Sequence, residues 1–175
     1  MARLEMGRAE LVWESRELPR ERWTAQGPCA CELLYRSGAG LTPRPLRRIA
    51  SGGELSRVML AAKVVLGEAD AVDTLVFDEV DAGVGGATAR SLAQVLADLA
   101  RTHQVIVVTH LAQVAVQGSV HYVVRRDDSE DVPETRLLRV EGPERIAEVA
   151  RLLSGDATEE SLAHAKQMLA EAGQL

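Results

Sequence analysis

Two short apolar runs, each stopping abruptly at polar residues, constrain this chain more than any other feature. Thr74-Leu75-Val76-Phe77 ends at Asp78-Glu79, and Val105-Ile106-Val107-Val108 ends at Thr109-His110. Such runs are too short for helices and rich in β-branched residues, so they read as strands buried on both faces. Between them a turn with Gly83, Gly85 and Gly86 leads into Leu92, Val95, Leu96 and Leu99 at helical spacing. Strand, helix, strand predicts a βαβ unit: a parallel sheet joined by a right-handed crossover. The class is therefore α/β. In such sheets ligands bind beyond the carboxyl ends of the strands, where the acids and His110 emerge.

The rest of the chain is organised around that unit. Residues 3–14 and 30–36 alternate apolar and polar side chains and read as strands, with a polar loop over 15–28 holding Pro19 and Gly27-Pro28. A basic lead-in over 41–50 precedes a helix whose apolar positions are Leu55, Val58, Met59, Ala62, Val65 and Leu66. Residues 119–126 and 134–140 read as a hairpin around an acidic, solvated stretch. Two closing helices carry Ile146, Val149, Ala150 and Leu153, then Leu162, Ala165, Leu169 and Ala172.

Composition removes several function classes. At 175 residues the chain fits one ordinary domain, and 46% hydrophobic with 26% charged residues excludes wholesale disorder. A net charge of −6 leaves no chain-wide basic surface for nucleic acid. Any DNA or phosphate contact of its own falls to a local patch, with Arg44, Arg47 and Arg48 the candidates. No apolar run reaches the roughly 18 residues of a membrane span, and the amino terminus lacks a signal-peptide core, so a soluble, intracellular protein is expected. Cys29 and Cys31 form a lone C-x-C without a second pair, expected to be reduced thiols. Facing opposite sides of a strand, they would pair poorly as a disulfide.

Three polar sites carry the candidate chemistry. Ser51-Gly52-Gly53-Glu54 can be a helix cap, Ser accepting and Glu returning. That accounts for Ser and Glu but not for two glycines, each costing up to about 1 kcal/mol in a helix relative to Ala. Bare backbone at a helix start also suits an anion such as phosphate. Asp78-Glu79 could divide two jobs, one acid supporting Mg2+ and the other orienting or deprotonating water, or be a solvated strand end. His110 would share their sheet edge; His103, His121 and His164 are read as structural. A phosphate cradle of the G-x-x-x-x-G-K-[ST] kind is missing, since Lys63 and Lys166 are the only lysines and neither follows a glycine. The chain reads as half of a site.

At these residues the chain resembles the ATP-binding-cassette superfamily. Ala50-Ser51-Gly52-Gly53-Glu54 is similar to its signature motif and Thr74–Glu79 to its Walker B strand. Val80-Asp81-Ala82-Gly83 resembles the D-loop, and Val108-Thr109-His110 the switch histidine. The longer wording, Ile49–Ala61, Phe77–Gly86 and Thr109–Ala115, resembles the RecN family of SMC-like ATPases in DNA double-strand-break repair and recombination.

That resemblance implies the carboxy-terminal part of an ATPase head. Residues 1–42 would supply strands and loop, 43–118 the motifs, and 119–175 the hairpin and closing helices. The P-loop half and a coiled coil would lie upstream, with Met1 not the natural start. It further implies that Ser51, Gly52, Gly53 and Glu54 contact ATP held by a second head, making an ATP-bridged homodimer. Asp78 would support Mg2+, Glu79 polarise the attacking water, Asp81 bridge the dimer interface and His110 sense the γ-phosphate. A cytoplasmic, nucleoid-associated protein reaching DNA through the complete molecule, with no membrane partner, is what this family implies. The rival readings are a transporter's nucleotide-binding domain and a non-catalytic structural fragment of an SMC-like protein. The intact Asp78-Glu79 pair argues against the last.

Overall fold

The computed structural model describes residues 2–4, 6–49, 51–67, 72–127 and 134–175. Ala50 and most of the acidic hairpin tip, 128–133, lie outside them. The βαβ unit is present. Strands β4 (Thr74–Phe77) and β5 (Gln104–Val107) pair in parallel with Phe77 opposite Val107, and helix α2 (Gly86–Leu99) connects them. Leu92, Val95, Leu96 and Leu99 of α2 pack on Leu75 and Phe77 of β4 with Val80 beyond it, as their helical spacing predicts.

Burial of both strand faces does not occur. Along β4, Leu75 and Phe77 are buried while Val76 is 65% exposed, and Ile106 of β5 and Val108 just past it lie in solvent at 47% and 58%. Within the described residues α2 covers one face of the pair and nothing covers the other. The period of two that a half-covered sheet imposes therefore replaces two-sided burial.

Helix α1 (Gly52–Leu66) forms where expected, but of the expected stripe only Val58 is buried, with Leu55 and Ala62 half-buried. Gly53, Val58, Leu60 and Ala61 are buried, whereas Met59, Val65 and Leu66 of the expected stripe are exposed, Val65 by 85%. The helix carries two apolar stripes, and the core around Leu75, Phe77 and Leu92 takes the one containing Leu60 and Ala61.

Near the amino end, Ala2–Leu4 forms a 3-10 turn whose Leu4 enters the α2 core, not the start of a strand. Strand β1 (Glu10–Glu17) runs on through residues expected to be loop, pairing antiparallel with β2 (Cys29–Arg36), and β3 (Arg44–Pro45) adds to β2. Cys29 and Cys31 stand two apart in β2 and so share a face, contrary to the expectation of opposite sides. Both are exposed and free. Strands β6 (His121–Asp127) and β7 (Glu134–Val140) form the expected hairpin. A short helix α3 (Ala112–Ala115) then packs with α4 (Gly142–Ser154) and α5 (Glu159–Glu171) around Val116, Val149, Ala150, Ala165 and Leu169.

Candidate functional site

The site is built on the turn that leaves β4. Asp78 Oδ1 accepts from the Glu79 N–H at 2.9 Å, and the Glu79 carbonyl accepts from Ala82 N at 3.0 Å, closing the chain back on itself. Glu79 has φ 54°, alone among the described non-glycine residues in the left-handed region. That region costs an L-residue about 1–2 kcal/mol and persists only where surrounding contacts over-determine it.

Those contacts come from the start of α1. Ser51 Oγ accepts from the Glu54 N–H at 3.4 Å, so Ser51 is an N-cap. Glu54 does not complete a capping box; its Oε1 accepts from the Tyr35 hydroxyl at 2.7 Å. Burial, followed by that bond to the carboxylate, raises the Tyr35 pKa well above the usual phenol range. Gly53 is buried against the turn: a Cβ there would sit 2.8 Å from the Glu79 carbonyl oxygen and 2.8 Å from Ala82 Cβ. Gly52 is exposed, and a Cβ on it would meet only the carboxylate end of Glu79. The second glycine thus has an intrachain packing reason that needs no ligand. The first keeps open the space beside the Glu79 carboxylate.

Ser56 and Arg57 complete the attachment, and the motif pattern alone passed over both. Ser56 Oγ donates to the Asp78 carbonyl at 2.8 Å, and Arg57 Nη1 donates to the carbonyls of Val80 at 3.2 Å and Ala82 at 2.8 Å. One signal for them was available: they lie three and four residues past Gly53 and four and three before Leu60. They are therefore polar positions on the stripe that faces the core.

His110 joins the same site through Asp81. The two strand ends lie side by side, with Val108 N donating to Phe77 O at 2.9 Å. The Asp81 carboxylate, 2% exposed, receives the Thr109 hydroxyl at 2.5 Å and the His110 N–H at 3.0 Å, with His110 Nδ1 at 3.2 Å. The Thr109 oxygen in turn accepts from Leu111 N at 3.0 Å. Asp81 is thus a buried strut fixing the His110 backbone and ring, not an exposed side chain. The His110 side chain is 68% exposed with Nε2 on the side away from Asp81.

Arg44 lies in β3, and Arg47 and Arg48 in the short turn that follows, all exposed. Arg47 is paired with Glu32 at 2.9 Å, so a carboxylate already offsets part of that patch. Among the described residues no helix is long and apolar enough to cross a membrane.

Solved structures place the fold in a class. An Smc head domain with a coiled coil and joint from Pyrococcus yayanosii matches over 98% of this chain and 27% of its own, at TM-score 0.57 and 18% identity. An Smc head domain from Pyrococcus furiosus, crystallised with the C-terminal domain of ScpA, matches over 79% of this chain and 32% of its own, at TM-score 0.53 and 19% identity. The fold is that of part of an SMC-type head.

Among sequences, DNA repair protein RecN of Deinococcus radiodurans is 51% identical over 140 residues, 79% of this chain. RecN of Treponema pallidum is 48% identical over 139 residues, and RecN of Mycobacterium leprae 49% over 146. Over that segment the chain belongs to the RecN family. It spans about a quarter of the length of these relatives, 24% in each of the three. No family model matches it.

Proposed function

We propose that this chain is the part of a RecN-type ATPase head that supplies the signature, Walker B, D-loop and switch elements, and that it acts in DNA double-strand-break repair. The observation that carries the reading is the convergence at one sheet edge. Glu79 at the end of β4, His110 beyond β5 and the amino end of α1 meet on a single turn. Lys63 and Lys166, by contrast, lie within α1 and α5 and cannot complete a phosphate cradle.

A P-loop-bearing half would provide that cradle. The bare face of the β4–β5 pair, with Val76, Ile106 and Val108 in solvent, is where its share of the sheet and helices would pack. Burying that surface contributes about 25 cal/mol per Å2.

In the assembled head, Glu79 would take the proton of the attacking water as general base. Asp81 holds His110 by Nδ1 and backbone, leaving Nε2 to contact the γ-phosphate of ATP. Gly52 and the first N–H groups of α1 would meet the phosphates carried by a second head, at the positive end of a helix. Asp78 would support a hydrated Mg2+, an ion that neutralises phosphate charge when bound. As one carboxylate it would share the ion with water, phosphates and the P-loop half. DNA would be engaged by the complete protein, since this segment is acidic overall.

The test uses the complete protein. Glu79→Gln keeps hydrogen-bonding capacity but removes the base. It should leave ATP binding intact, slow hydrolysis by on the order of 100-fold, and trap an ATP-dependent dimer visible by light scattering. Turnover at the wild-type rate would overturn the role of Glu79. The isolated 175-residue chain should show no turnover; ATP hydrolysis by it alone would refute the half-site.

A further inference from the structure

We infer that Arg57 is a positioning residue for hydrolysis, its guanidinium fastening the signature helix to the turn that presents Glu79 and Asp81. The inference rests on the reading of Glu79 as the base.

The argument is geometric. One nitrogen of Arg57 bonds the carbonyls of Val80 and Ala82, the residues on either side of buried Asp81. Asp81 carries His110, and Glu79 precedes Val80 directly, so both groups of the candidate site hang from the backbone that Arg57 grips. Ser56 adds a bond to the Asp78 carbonyl, and Gly53 lies flat on Glu79 and Ala82. The grip spans the whole turn.

It also explains how Glu79 stays in the left-handed region. Released, the turn would relax toward an ordinary conformation and carry the carboxylate away from its place beside Gly52. Whatever docks on the amino end of α1 therefore acts on the catalytic turn through Arg57 and Ser56. Displacing α1 by a fraction of an ångström moves Glu79 and Asp81 with it, because the contacts between them are direct and closely packed.

Charge adds to the fit. Asp78, Glu79 and Asp81 crowd three acids into four positions, and Arg57 is the cation bonded within that turn. Arginine suits the task because its fixed donors serve two carbonyls at once, which a lysine ammonium on a flexible stem does less well.

The experiment is steady-state ATP hydrolysis by the complete protein carrying Arg57→Gln, Arg57→Lys or Ser56→Ala, each also in the Glu79→Gln background. Arg57→Gln should lower kcat about tenfold or more with KM for ATP within about twofold, since the P-loop half binds the nucleotide. Arg57→Lys should recover part of the loss, and Ser56→Ala should show a smaller one. Added to Glu79→Gln, Arg57→Gln should cost less than it does alone, because the base is already gone and only the Asp81–His110 side of the site is left to misplace.

A purely structural role would instead lower thermal stability and leave kcat per folded molecule unchanged. That result, or an equal loss in both backgrounds, overturns the inference. If Arg57→Gln does not fold, Arg57→Lys decides: reduced kcat at unchanged melting temperature supports the inference, and wild-type kcat refutes it. Wild-type turnover by Glu79→Gln alone would instead overturn the proposed function.

Discussion

Adding one methyl group at Gly53 and, separately, at Gly52 should split stability from chemistry. At Gly53 the new Cβ would lie 2.8 Å from Ala82 Cβ, 2.8 Å from the Glu79 carbonyl oxygen and 3.2 Å from the Ala82 carbonyl oxygen. Carbon atoms sit comfortably at about 3.5–4.0 Å, so close to 1 Å of room must be made, largely against backbone. Overpacking of that kind costs about 1–3 kcal/mol, and alanine's better helix propensity returns at most about 1 kcal/mol.

Gly53→Ala should therefore be destabilised by about 1 kcal/mol. For a domain of this size that lowers the melting temperature by about 2–4 °C. At Gly52 the clash is with the movable end of the Glu79 side chain alone. Gly52→Ala should keep or slightly raise the melting temperature while displacing the carboxylate and slowing ATP hydrolysis. Calorimetry and turnover of the two variants in the complete protein measure both effects. A Gly53→Ala protein that is more stable than wild type and fully active would refute the packing argument. The pair also shows that a bulky residue at Gly53 is a poor probe of contact between heads, since it breaks the head's own packing first; Gly52 is the better position.

Tyr35→Phe removes the hydroxyl bonded to Glu54 and should cost about 1 kcal/mol, read as a lower denaturant midpoint at unchanged slope. An unchanged midpoint would mean that Glu54 finds water instead. His121 offers a pH test. Burial, then the charge of Arg145, holds its pKa below the ordinary value, and Glu148 opposes weakly. Protonation therefore favours the unfolded chain, so this contribution is full above pH 6.5 and is lost as pH falls from there through the depressed folded value. His121→Gln should show a shallower fall in melting temperature than wild type below pH 6.5; parallel curves would rule out His121 as the group responsible.

How much was legible follows from where the apolar residues had something to pack on. Strands β4 and β5 and helix α2 were readable because clear punctuation bounds their apolar runs and half of each strand's run, Leu75, Phe77, Val105 and Val107, serves the α2 core. The exposure of Val76 and Ile106 was not readable, because what covers a sheet face is not written in the strand. The face of α1 was not, because both of its stripes are apolar and only tertiary packing chooses between Leu60 and Val65. Strand β1 escaped its boundaries because nearly all its residues are exposed, which leaves no burial period to read beyond Trp13. At the site, the motif spacing singled out Glu79, His110 and the glycines, which the structure brings together, and it suggested a ligand as a reason for Gly53. A packing reason lies in Glu79 and Ala82, 26 and 29 residues away, and such contacts have no local signature. Asp81 was expected to bridge a dimer interface; its pairing with Thr109 and His110, 28 and 29 residues away within the chain, has no local signature either.

The left-handed backbone at Glu79 sets two selective pressures against each other. Glycine at that position would relieve about 1–2 kcal/mol of steric cost, less the roughly 0.5–1 kcal/mol that a freer unfolded chain takes back. A search for heat-resistant variants of this chain would therefore keep drifting toward glycine or asparagine at residue 79, the position proposed to activate water. Retaining an acid there keeps the head below the stability its own backbone would allow.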